Sequence, residues 1–360
     1  MSYKLLTPGP VQVHPEILKA SAEPVISHRG PEFRQLYKEV TEKLEELSNA
    51  EEALVYAGSG TTAVDAMAWS LVKPGNTVLV VVTGEFGHRL ANTLEERGAK
   101  IEKLESPPGQ PVPPEEISET LRRTKPQYLA IVSNETSTGL SYRNLKEITN
   151  EANSQGAKVI VDAVSGFPVE PLNIEEWGIY AAATCSHKAL AAPPGLAINL
   201  LSREAARDLE ENPPRNLPPS INLARNHKFY KEKTETPYTP PVTLLKSLNK
   251  TLNQIQIKTL ETYIQEHTER AGILYTELPK TGYEPLVTDE DYRSRTVTAF
   301  KTPPGTTSAE VTKHLLRKGY KIAQGMGNLK QNTIRIGVMG AVDKVDIQKL
   351  IEQIKIYTNI

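Results

Sequence analysis

The chain has 360 residues, enough to bury a large core in two domains, or in one large and one small domain. Its 42 Lys and Arg nearly cancel 43 Asp and Glu, for a net charge of -1, which argues against nucleic acid as the main partner. One cysteine excludes an intramolecular disulfide framework and a cysteine-built metal site, and no metal is expected. The opening MSYKLLTPGPVQVHPE lacks a signal-peptide pattern, and the most apolar run, TVLVVVTG, has the length of a buried strand rather than a membrane span. These features lead to the expectation of a cytoplasmic protein that engages neither membrane nor nucleic acid.

From about Glu51, short apolar runs alternate with amphipathic ones. EALVYAGSG (52–60) reads as a strand ending in a glycine turn. TTAVDAMAWSLV (61–72) reads as a threonine-capped helix with Val64, Met67, Ala68, Leu71 and Val72 on one face. NTVLVVVTG (76–84) is the next strand, and HRLANTLEERG (88–98) a helix closed by Gly98. The rhythm continues through AKIEKLE (99–105), a helix in PPEEISETLRRT (113–124), QYLAIVS (127–133), a helix ending near Gly156, AKVIVDAV (157–164), YAAATCS (180–186) and GLAINLLS (195–202). Uniformly apolar strands joined by helices predict an α/β fold with a mainly parallel sheet. After Ser202 the pattern breaks: residues 211–241 read as a polar, proline-rich loop, and a long helical pattern runs from Pro241 toward Leu278. Strands near RTVTAFKT (295–302) and TIRIGVMG (333–340) then accompany helices near 307–319 and 342–357. The expected division is an N-terminal arm (1–16), a large α/β domain (17–245) and a small C-terminal α+β domain (246–360) that begins within the long helix.

Three strand ends carry polar chemistry, and functional groups in an open α/β sheet gather there. In AGSGTTA (57–63), Gly58 and Gly60 permit a tight turn, and the helix start with Thr61 and Thr62 offers N–H groups to an anion. An ordinary capped turn accounts for the same residues. Asp162 closes an apolar strand, where its carboxylate needs either a cation or a local turn to satisfy it. Lys188, in CSHKALAAPPG (185–195), is flanked by small apolar residues. Either its amine reaches solvent, or desolvation lowers its pKa and frees it for Schiff-base chemistry. An anion cradle, a carboxylate for a ring nitrogen and an amine for an aldehyde are together the three handles of pyridoxal phosphate.

Taken in order, LLTPGPVQVHPEIL, SHRGPEFRQLY, YAGSGTTAVDA, SNETSTG, VDAVSGF, SHKALAAPPGLA, TPYTPPV and TIRIGVMG make the chain resemble the class V aminotransferases of the fold-type I pyridoxal-phosphate enzymes, nearest to alanine–glyoxylate and serine–pyruvate aminotransferases. The resemblance implies that Lys188 links to the cofactor and shuttles the proton, and that Asp162 holds the pyridine nitrogen protonated. Gly60 and Thr61 match the phosphate turn, Phe86 an aromatic stacked on the ring, Val164 its opposite face, and Thr136 a hydroxyl beside the phenolic oxygen. Thr239 matches a phosphate ligand donated by a second subunit, implying a homodimer with a shared active site; Thr236 stands where some relatives have tyrosine. Arg335 matches the arginine that grips the substrate carboxylate, with Gly9 close by. Arg29, in ISHRG, is open either to a second carboxylate or to a salt bridge in its loop. The implied reaction moves an amino group from alanine, serine or aspartate to glyoxylate or pyruvate. One departure is His187, beside the lysine where close relatives carry Gln. A His-Lys pair occurs in cysteine desulfurases, so a desulfurase-like lyase is one alternative, with Cys185 as its sole thiol, and a non-catalytic assembly subunit is another.

Overall fold

A computed structural model describes residues 3–358. Its central sheet has seven strands: β1 (Glu52–Ala57), β2 (Thr77–Val82), β3 (Lys100–Glu105), β4 (Tyr128–Val132), β5 (Lys158–Asp162), β6 (Ile179–Cys185) and β7 (Leu196–Leu201). Their order is β1-β7-β6-β5-β4-β2-β3. All run parallel except β7, which is antiparallel to both β1 and β6. Successive residues of a strand point to opposite faces, and here both faces are covered. Leu79 and Val81 enter one core with Ile131 and Val161, while Val78, Val80 and Val82 enter the other with Ala130 and Ile160. This double burial is why the inner strands read as unbroken apolar runs. Strand β3 departs from that reading: it is the sheet edge, and Lys100, Lys103 and Glu105 break its apolar character.

Helices α1 (Pro31–Ser48), α2 (Gly60–Leu71) and α3 (Glu85–Glu96) pack on this sheet, α2 and α3 each following directly on a strand. The cap of α2 is Ser59 rather than a threonine. Its side chain accepts from Thr62 N while the Thr62 hydroxyl accepts from Ser59 N, a reciprocal capping box. The segment 211–241 is not all loop, since Leu223–Lys233 is a helix. Its buried face includes His227, whose Nδ1 lies 2.9 Å from the Glu52 carboxylate, so the helix docks by polar contacts that apolar periodicity does not register.

The expected long helix is two, α4 (Val242–Lys258) and α5 (Leu260–Glu277). Thr259 separates them with φ of +68°, and its hydroxyl caps α5 by accepting from Thr262 N. Leu245, Leu248, Leu252 and Ile255 of α4 pack into the core under the large sheet, whereas Ala271 and Leu274 of α5 join a second core. That second core lies against a four-stranded antiparallel sheet of β8 (Glu284–Pro285), β9 (Val297–Lys301), β10 (Ala323–Gln324) and β11 (Thr333–Gly337), in the order β8-β9-β11-β10, and is closed by helix α6 (Lys344–Thr358). Among the described residues no helix is long and apolar enough to cross a membrane, and no cluster of His, Cys, Asp and Glu is arranged to hold a metal ion.

The N-terminal segment is tied to this smaller sheet. Lys4–Leu5 pairs in parallel with Tyr320–Lys321, and Gly337 N donates to Leu6 O at 2.8 Å. The segment presses on Gly337 so closely that a Cβ there would lie 2.3 Å from Thr7 O. Gly337→Ala should therefore lift Thr7 from the sheet, at a cost of about 1–3 kcal/mol. Thermal unfolding should show a lowered Tm, and an unchanged Tm would contradict this packing.

Candidate active site

Lys188 follows β6 at the C-terminal edge of the parallel strands. Its Nζ donates to Pro8 O at 2.7 Å. Gly9, at φ +144°, lies directly against it: a Cβ there would stand 2.5 Å from Nζ. The N-terminal segment thus closes over the amine, and burial lowers the Lys188 pKa, with the charge of Arg335 acting in the same direction. The lysine does not snorkel to solvent; it is held inside.

Asp162 ends β5, is 7% exposed, and accepts from Val164 N at 2.9 Å. The local turn proposed for an unpaired carboxylate is therefore present, but it does not offset burial, which raises the Asp162 pKa to about 6. Val164, placed by that turn, faces the first residue of α2. A Cβ on Gly60 would meet Val164 Cγ1 at 2.6 Å. Gly60, Thr61, Val164, Asp162 and Phe86 line one cleft with Asp65 and Arg89. Helix α2 begins in this cleft, where first-turn N–H groups lack intrahelical acceptors; Thr62 N is taken by Ser59 and Gly60 N faces the Cys185 sulfur.

Two residues of this cleft were not singled out from the sequence. Glu135 is fully buried, and its carboxylate accepts from Phe86 N, Gly87 N, Ser137 N and the Ser137 hydroxyl. It caps α3 from outside the helix and so fixes where Phe86 sits. The Arg89 guanidinium stacks 4.8 Å from the centroid of the Phe86 ring. The sequence signal was the carboxylate of NETSTG, directly before Thr136.

Arg335, on β11, is 8% exposed. Its Nε donates to Gln324 O at 2.8 Å and its Nη1 to Thr136 O at 3.0 Å. Burial lowers its pKa to about 10, opposed by the charge of Glu135. Thr136 thus meets Arg335 through its backbone. Beside Lys188, His187 has its pKa lowered to about 4 by burial and by the lysine charge, so the ring is neutral. Its Nδ1 is buried without a partner among the described residues, and its Nε2 lies 3.7 Å from Cys185 Sγ. Cys185 is fully buried on β6, and burial pushes its thiol up to about 12. A protonated thiol locked in a central strand does not serve as a sulfur nucleophile.

Arg29 and Thr239 are not brought to this cleft. Arg29 pairs with Glu235 at 2.8 Å and donates to Thr236 O and Pro237 O, so it pins a loop instead of standing free. Thr239 is exposed, with its hydroxyl 3.5 Å from His28 Nε2.

The chain matches the family "Aminotransferase class-V" over residues 14–350. It belongs to the class-V aminotransferases. An uncharacterized aminotransferase of Methanocaldococcus jannaschii is 34% identical over 348 residues, covering 95% of this chain and 89% of that one. Among solved structures, an alanine–glyoxylate aminotransferase from Nostoc sp. superposes with a TM-score of 0.94 at 27% identity, covering 100% and 96% of the two chains. An aspartate aminotransferase from Thermus thermophilus superposes with a TM-score of 0.90 at 31% identity and 99% coverage of both. The fold of this aminotransferase is fold-type I, and its cofactor is pyridoxal phosphate. The cleft residues fit that group: an aliphatic wall at Val164, an aromatic one at Phe86, a buried carboxylate with no side-chain cation bonded to it, and a Gly60 turn too tight for any other residue.

A carboxylate raised by burial has a defined consequence for the cofactor-free aminotransferase. The folded Asp162 pKa of about 6 exceeds the unfolded value of about 4, so the folded state binds the proton more tightly. Stability contributed by the protonated group is full below about pH 4 and is lost as pH rises through about 6. Asp162→Asn should therefore stabilise the apoprotein above pH 6 by up to about 3 kcal/mol, a gain that disappears near pH 4. Denaturant unfolding of both apoproteins at the two pH values checks this, and an equal difference at both would contradict it.

Proposed function

We propose that the Lys188 cleft transfers the amino group of a small amino acid (alanine, serine or aspartate) to glyoxylate or pyruvate, in two half-reactions with ping-pong kinetics. The observation that carries this reading is a pair of neighbouring basic groups near Asp162, the largely buried Lys188 and the buried Arg335, each held by backbone carbonyls and paired with no carboxylate among the described residues. Aspartate and alanine–glyoxylate aminotransferases stand among the similar structures, which supports these substrate classes.

When bound, pyridoxal phosphate supplies an aldehyde for an amine and an electron-withdrawing ring that acidifies the bond at the substrate α-carbon. The rest falls to the chain. Asp162 would hold the proton on a cationic ring nitrogen. Phe86 and Val164 would confine the ring, with Glu135 fixing Phe86 by capping α3. The start of α2, at Gly60 and Thr61, would receive the phosphate. Arg335 presents its guanidinium to the substrate carboxylate, a planar fork suited to bidentate binding. The Lys188 amine, whose charge burial disfavours, would move the proton from the substrate α-carbon to the cofactor carbon. Thr136, whose carbonyl accepts from Arg335, would offer its hydroxyl to the ring, and neutral His187 lies next to Lys188 with a buried, unpartnered Nδ1 that a ligand would satisfy.

Thr239 and the Arg29-pinned loop, exposed in one protomer, are the surface we assign to a second subunit, whose cleft Thr239 would complete. The single, protonated Cys185 suits a reducing cytoplasm.

Adding one amino acid without an oxo acid to the holoenzyme should bleach its visible absorbance, and glyoxylate or pyruvate should restore it. Arg335→Gln should lower kcat/KM for the same donor by about 30-fold or more, since a charged hydrogen-bond pair contributes roughly 2–5 kcal/mol when one partner is removed. A holoenzyme that no amino acid bleaches would contradict the reading.

A further inference from the structure

A cavity of about 610 Å³ lies away from the Lys188 amine, which is not among its walls. It opens where the N-terminal segment, α4, α5 and the turn before α6 meet, with His14, Ala191, Gln254, Tyr263, Arg270 and Val342 among its walls. Arg270 is the unusual member. It is 6% exposed, its Nη1 donates to Val342 O, and its Nε is buried with no hydrogen-bond partner. No carboxylate lies within ion-pair distance of it among the described residues. The acids around it are engaged elsewhere: Glu266 with Lys258 at 2.7 Å, Glu269 with Lys344 at 2.6 Å, and Asp343 in a reciprocal turn with Asp346. Lys4, Lys258 and Lys344 also line the cavity, each already paired with an acid (Asp346, Glu266 and Glu269), which leaves Arg270 as the cation without an ion pair.

A buried guanidinium without an anionic partner is costly, and the cost is offset when an anion accepts from it. We propose that this cavity is a binding site for a small oxyanion, a carboxylate- or phosphate-bearing metabolite, anchored on Arg270. The volume suits a small organic ligand, and the seam between two packed units is a common place for one. The cavity also backs onto the Lys188 loop. Tyr263, in its wall, donates from its hydroxyl to Ala189 O at 2.7 Å, and Ala191, also in its wall, sits at φ +55° with its N donating to Lys188 O. An occupant would therefore brace the loop from behind while joining the N-terminal segment to α5.

The test is the thermal unfolding of the holoenzyme titrated with inorganic phosphate or with malonate, against chloride at matched ionic strength. A saturable rise in Tm with either probe is expected in the wild type and in Arg335→Gln, whose active-site anion grip is removed. In Arg270→Gln the half-saturating concentration should rise at least tenfold. Gln254→Trp, which fills the cavity and leaves Arg270 in place, should do the same and decides the matter if Arg270→Gln does not fold. A response to phosphate alone or to malonate alone supports the site and names its ligand class. No saturable rise, a rise retained in both cavity variants, or its loss in Arg335→Gln would overturn the proposal.

Discussion

A largely buried amine, Lys188, is given one acceptor by the protein, the carbonyl of Pro8. Burial destabilises its ammonium form, and the nearby Arg335 charge adds to the effect. The N-terminal segment, docked on β11 through Gly337 and on Tyr320–Lys321 through Lys4–Leu5, delivers that carbonyl. Gly9 lets the backbone approach an amine that any side chain would displace. A site assembled this way depends on the small sheet as much as on the large one: Arg335 arrives from β11 and hydrogen-bonds the carbonyl of Thr136 across the two units.

The large sheet supplies the remaining groups from one edge. Gly58–Gly60 follow β1, Phe86 follows β2, Glu135 and Thr136 follow β4, Asp162 ends β5 and Lys188 follows β6. Parallel strands bring all of these C-terminal ends to the same side. The field in the cleft has a consistent logic. A buried carboxylate at Asp162 has a raised pKa and is made ready for a cation, while the basic groups Lys188 and Arg335 have lowered pKa values, which suits an amine for an aldehyde and a guanidinium for a carboxylate. Each group carries a desolvation cost that the cofactor and substrate would offset, which is how a binding site differs from a settled core.

Much of the large unit was legible in the sequence because its strands are buried on both faces, so their apolar runs, their spacing and the helices between them all point one way. What misled was local. Thr259 breaks the long helix without the Gly or Pro that would announce it, and only its φ of +68° and its cap on α5 reveal the boundary. The helix Leu223–Lys233 was hidden because it docks through His227 and Glu52. In the site, residues that present chemistry in isolation, Lys188, Asp162 and Arg335, could be singled out. Glu135 could not, because its role is to accept four hydrogen bonds from α3 and Ser137, a geometry that exists only in the fold. Arg29, open in the sequence to either a second carboxylate or a salt bridge in its loop, is spent on Glu235 in space.

The central claim is that Lys188 is the amine to which the cofactor is joined. Borohydride reduction of the purified yellow protein, followed by digestion and mass spectrometry, tests it directly. The account predicts a pyridoxyl-phosphate adduct on the peptide containing Lys188, and none anywhere in a Lys188→Ala protein treated alike. An adduct on another lysine, with the Lys188 peptide unmodified, would contradict it.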